Sequence, residues 1–137
     1  MRLKDLKMTK VDTGAEMVIK HPVTDDATDM VFMVMGKDSK VFRDLELQKT
    51  QEFMNKMYEA QRKGKKADNP LSAEKERTEH TRKYCNVVVG WENIEDAEGN
   101  LLPFSQDNVF AILNDGGYAW LLDQLIQFVE DRTNFFG

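Results

Sequence analysis

Residues 84–91 read Tyr84-Cys85-Asn86-Val87-Val88-Val89-Gly90-Trp91, and the architecture turns on whether they prolong a helix or begin a strand. Three consecutive valines, stiff at χ1 and suited to a pleated surface, favour a strand. Against that, no Gly or Pro interrupts the chain between Pro70 and Val89, so a helix opened at Asn69–Pro70 or at Ser72 has nothing to stop it. Periodicity does not decide, because a short apolar run serves either form.

Upstream, Ser72–Lys83 holds a single apolar residue, Ala73, and residues 64–69 read as a mobile linker. Residues 39–63 lack Gly and Pro and predict a long helix, with Asp38 and Ser39 offering N-cap oxygens. Its expected apolar stripe is Val41, Phe42, Leu45, Phe53, Met54, Met57 and Tyr58. Residues 15–36 predict a β-hairpin. Met17, Ile19 and His21 share one side of its first strand, Pro22 ends that strand, and Val23–Asp29 form the turn. Met30–Met35 form a second strand, apolar on both faces and ended by Gly36. A lone hairpin is marginal in water, so it must pack on helices or pair with a neighbouring chain. Self-association through its free edge and Met-rich strand is expected.

Downstream, residues 92–103 predict a loop turning at Glu98-Gly99-Asn100. Ser105 caps a short helix over 105–115 that Gly116-Gly117 stop. A final helix over 117–133 carries Leu121, Leu122, Leu125, Ile126 and Val129 at helical spacing. Phe135 and Phe136 close the chain as exposed aromatics. The fold class predicted is α+β, an N-terminal hairpin followed by a largely helical body of about four helices in one domain, 1–137.

The 137 residues carry a net charge of −5 and one cysteine, which excludes an intrachain disulfide framework. The longest apolar run, Met30–Met35, is far below the ~20 residues of a membrane span. Met1–Lys10 lack the apolar core of a secretion signal, and a reducing cytoplasm is the expected compartment. The charge is segregated: residues 1–55 carry a net −1, residues 56–83 a net +4 and residues 84–137 a net −8. An acidic chain without aromatics among residues 62–66 is not expected to bind nucleic acid.

Residues with catalytic potential are sparse. His21, His80 and Cys85 do not form a metal-ligand pattern, and Asp25, Asp26 and Asp29 lack calcium-loop spacing. Gly36-Lys37-Asp38-Ser39 lacks the spacing of a phosphate loop. No catalytic activity, cofactor or metal is expected. Large aromatic and Met side chains point instead to protein interaction. The candidates are Met30, Phe32, Met33 and Met35 on the hairpin, then Trp91, Phe104, Trp120 and Phe128, with Phe135 and Phe136 at the end.

Gly90-Trp91-Glu92-Asn93-Ile94, then Asp96-Ala97-Glu98-Gly99-Asn100-Leu101-Leu102-Pro103-Phe104-Ser105, resemble the tail assembly chaperones of long-tailed, siphovirus-type phages. Asp123–Gly137, with its aromatic Asn-Phe-Phe, is similar to that family's C-terminal pattern, and the clear resemblance spans about residues 87–137. It implies a short, non-frameshifted form that stays in the host cytoplasm and is absent from the mature virion. The implied partners are the phage tape measure protein, the tail tube protein and a longer frameshifted form of the chaperone. The family's helical character also favours one helix over 70–91. The alternative reading is a minor tail or connector subunit retained in the virion.

Overall fold

The valines form a strand. The computed structural model, which describes residues 1–63 and 70–136, ends the second long helix at Cys85 and starts a strand at Val88. The single helix expected over 70–91 is therefore corrected. Asn86 makes the break: its side-chain amide donates to the Arg82 carbonyl at 2.8 Å, and the Val87 N–H donates to the Tyr84 carbonyl at 3.2 Å. Beyond it, Val87 and Val88 are completely buried, each worth roughly 1.5–3 kcal/mol of apolar burial. A helix carried through them would leave the hairpin's second strand with an open edge.

The elements run β1 (Ala15–Lys20), β2 (Ala27–Val34), α1 (Lys40–Lys63), α2 (Pro70–Cys85), β3 (Val88–Glu92), α3 (Gln106–Leu113) and α4 (Ala119–Glu130). The class is α+β, with an antiparallel sheet ordered β1-β2-β3. β2 lies in the middle, pairing Phe32 with Met17 on one side and with Trp91 on the other. The hairpin is therefore part of a three-stranded sheet, not a two-stranded unit. Its second strand starts at Ala27, earlier than Met30, and the turn is correspondingly shorter. His21 is exposed rather than aligned with Met17 and Ile19, and its Nδ1 accepts the N–H groups of Val23 and Thr24. The linker expected over 64–69 lies outside the described residues.

One face of the sheet carries the core. Along β1, Ala15, Met17 and Ile19 are buried while Glu16, Val18 and Lys20 are exposed, the alternation of a half-covered strand. Against this face pack Val109 and Leu113 of α3, Leu121, Leu125 and Val129 of α4, and Tyr84 and Cys85 at the end of α2. A glutamine side chain bonds one residue of each edge strand. Gln124 accepts the Lys20 N–H at 3.1 Å and donates to its carbonyl at 2.8 Å, and Gln106 donates to the Val88 carbonyl at 3.0 Å. These bonds occupy backbone groups that a neighbouring strand would otherwise use.

The C-terminus is clasped into the body. Phe135 is 1% exposed, which corrects its reading as a surface aromatic; Phe136 beside it is exposed. The Phe135 carbonyl accepts the Lys10 N–H at 2.9 Å, and the Gly36 N–H donates to Val11 at 3.0 Å. A Cβ on Gly36 would lie 3.1 Å from both Phe135 and Val11, so the close approach of these segments favours a residue without one. Arg132 grips Asp38 with two bonds of 2.7 and 3.1 Å, and this guanidinium holds the Asp38 carboxyl below its ordinary pKa. Asp38 therefore does not cap α1. That role falls to Ser39, whose hydroxyl accepts the Phe42 N–H, and to Asp12, which accepts the Lys40 N–H at 2.8 Å.

Beyond Phe42, its only buried residue, α1 runs beside α2 as an exposed arm. Of the stripe expected to face the core, Phe53, Met54, Met57 and Tyr58 are all exposed. We expect Phe135→Ala to destabilise the chain by about 3–5 kcal/mol, whereas Phe136→Ala leaves stability almost unchanged. Thermal and urea denaturation measure both, and equal small effects would contradict the clasp.

Candidate functional site

Trp91, on β3, starts the site. Its ring stacks on Phe32 at 5.9 Å and meets Phe104 edge-on at 5.3 Å, and aromatic pairs of this kind contribute about 0.5–1.5 kcal/mol each. Its Nε1–H donates to the Leu102 carbonyl at 2.9 Å, so the strand anchors the far side of the following loop. That loop is itself well bonded. Asn93, at φ +62°, donates to the Asp29 carbonyl, and Glu95 bridges Leu101. Asp96 accepts the N–H groups of Glu98 and Asn100 at 3.0 and 2.9 Å. Gly99, at φ +80°, supplies the left-handed backbone this turn requires.

The loop forms one wall of an apolar cavity of about 290 Å³. Phe32, Ile19 and Met30 of the sheet, Ile112 of α3, Leu121 and Trp120 of α4, and Tyr118 just before α4 form the rest. Ile94 and Leu102 line it and also a second hollow of about 330 Å³ bounded by Trp91, Leu101 and Phe104. The charged residues of the two linings are Glu95 and Asp96 in the first and Glu92 in the second. The result is an aromatic groove with an acidic rim, suited to an apolar segment that carries cations.

Five of the sequence-predicted residues line these two hollows, Met30, Phe32 and Trp120 the first and Trp91 and Phe104 the second. The other five do not. Met33 lies on the opposite face of the sheet, against Gly90, and Met35 is buried. Phe128 packs edge-on against Phe135 at 5.5 Å, at the clasped end, beside exposed Phe136. Sequence reasoning missed Ile94, Leu101, Leu102, Ile112 and Tyr118. The pair Leu101-Leu102, apolar within a polar loop, was the available signal.

The remaining reactive groups are packed into the fold. Cys85 is buried, and desolvation pushes its thiol up to about 11. Tyr84, also desolvated and donating to Glu130 at 3.1 Å, is raised to about 12. His80 packs edge-on against Tyr84 at 5.1 Å, and burial lowers its pKa. Among the described residues, no group of three or more His, Cys, Asp or Glu is placed to hold a metal ion, and no helix is long and apolar enough to cross a membrane.

The model of the YdaY prophage protein family matches residues 42–136, which include the arm, β3, the groove loop and both C-terminal helices. The chain belongs to the YdaY prophage protein family. Its origin is thus phage-derived, while β1 and β2 precede the matched segment of this YdaY-family chain. No curated protein and no solved structure matches the chain.

With its thiol raised and covered, native Cys85 should react with a thiol reagent at about pH 8 far more slowly than an open cysteine. Labelling should become complete on denaturation. Native labelling as fast as in denaturant would contradict the burial.

Proposed function

We propose that this phage-derived chain is a tail assembly chaperone: it binds the tape measure protein and keeps it soluble in the host cytoplasm until tube subunits polymerise around it. The observation that carries the reading is the acid-rimmed aromatic groove, because one wall of it is the Gly90–Ser105 segment that resembles such chaperones. Membership of a prophage family supports the phage setting.

The chemistry fits a holdase. Trp91, Phe104 and Trp120 offer broad apolar area at low entropic cost, and Met30 can adapt to different side chains. Glu92, Glu95 and Asp96 favour client segments with Lys or Arg beside their apolar residues. One groove is small, so each contact is weak. Several copies along an extended client would retain it through valency, yet each could be displaced singly as tube subunits arrive. No nucleotide hydrolysis is needed.

Co-expression with the tape measure protein from the same phage tests this directly. The client's soluble fraction should rise several-fold and the two should co-purify, while Tyr118→Glu, at an exposed position in the groove lining, should abolish both effects. A client equally soluble with and without the chain would refute the role. Mass spectrometry of purified virions should find the chain absent; its stoichiometric presence would identify a structural tail subunit instead.

A further inference from the structure

The outer side of α1 carries an apolar stripe that is exposed among the described residues. Leu47, Met54 and Tyr58 are spaced by seven and four residues, which aligns them on one helical face. They are 68%, 65% and 70% exposed. Leu45, Lys49 and Glu52 line one cleft against α2 and Met57 and Ala60 a second, and Leu47, Met54 and Tyr58 line neither. Exposed apolar side chains in such a row mark a contact surface.

We propose that this stripe seats in the acid-rimmed groove of a second copy. Charge selects that occupant. The groove's linings include Glu92, Glu95 and Asp96 without a Lys or Arg, and residues 84–137 carry a net −8. α1 itself, residues 40–63, carries six Lys or Arg against four Asp or Glu, a net +2. Arg43 and Arg62 flank the stripe by helical position, with Asp44 the acidic residue on that side. A cationic helix bearing Leu, Met and Tyr is the kind of segment the groove accepts, and every copy brings one. α1 contributes no residue to the groove of its own chain. At the hairpin's outer edge, Gln124 bonds the backbone of Lys20 alone.

Arm and groove are different surfaces, so the contact is head-to-tail. A pair keeps one free arm and one free groove and can add further copies. Opposite charge steers the encounter and makes it sensitive to salt. Arm and client would compete for the same groove, and the pairing is therefore tested on the chain alone, without client.

Sedimentation velocity on the full chain tests it, over about a hundred-fold range of concentration, so that mass action shifts the equilibrium. The wild-type average mass should rise with concentration. Tyr58→Glu on the arm and Tyr118→Glu in the groove, both at exposed positions, should each weaken association about ten-fold or more. Mixed in equal amounts, the two variants should form a dimer that grows no further, because only one intact arm and one intact groove remain. Met54→Glu and Glu95→Lys should reproduce this pair of results, and far-UV circular dichroism should stay unchanged in all four. A wild-type chain that is monomeric throughout, or variants that associate like wild type, would overturn the proposal. So would a mixture that stays monomeric, or a Tyr118→Glu chain that still pairs through its arms alone.

Discussion

Pairing of β3 with β2 is the constraint on which the rest of this molecule depends. It makes Met30–Val34 part of a central strand, bonded on both sides, and so accounts for the longest apolar run in the chain. It also ends α2 at Cys85 and sets Trp91 opposite Phe32. The loop that follows is then tied back by Trp91 and Asn93, and the groove exists because that loop faces α4. Slipping β3 by one residue would send Trp91 to the other side of the sheet and remove the groove wall.

The second organising feature is closure of the sheet by distant pieces of chain. Gln106 and Gln124 occupy backbone groups at the two edges, while Phe135 fills the space that Gly36 leaves open. These contacts tie the ends of the edge strands to the helices and the C-terminus to the hairpin. Two side-chain surfaces stand out beside the sheet: the aromatic groove with its acidic rim, and the apolar row along the arm. Their opposite charges lie in different stretches of the sequence, so the segregation visible in composition becomes a difference between two surfaces.

Local signals explain what was legible. Ser105, Gly116-Gly117 and the regular spacing of Leu121, Leu125 and Val129 marked α3 and α4 closely, and Pro22 with Met30–Met35 marked the hairpin. The third strand was not legible because its decisive partner, Val34, is far away in sequence, while the missing helix breaker between Pro70 and Val89 is a local fact. The valines' own propensity was the better guide. Phe135 was misread for a similar reason: its pocket is made by Val11 and Gly36, and nothing near residue 135 announces it. The aromatic anchors were recognisable one by one, but the strand register sets Trp91 against Phe32 and Phe104, while Phe128 packs at the clasped end. The row Leu47, Met54 and Tyr58 has the spacing of a core-facing stripe, and only the course of α2 reveals that it faces outward.

The most direct measurement is the pattern of nuclear Overhauser effects and amide exchange across residues 84–92. Cross-strand contacts linking Val88–Glu92 to Val31–Val34, with slow exchange at the bonded amides, are the result that β3 requires. Helical contacts running without interruption from Arg82 through Asn86 to Trp91 would contradict it, and with it the sheet, the placement of Trp91 and the groove.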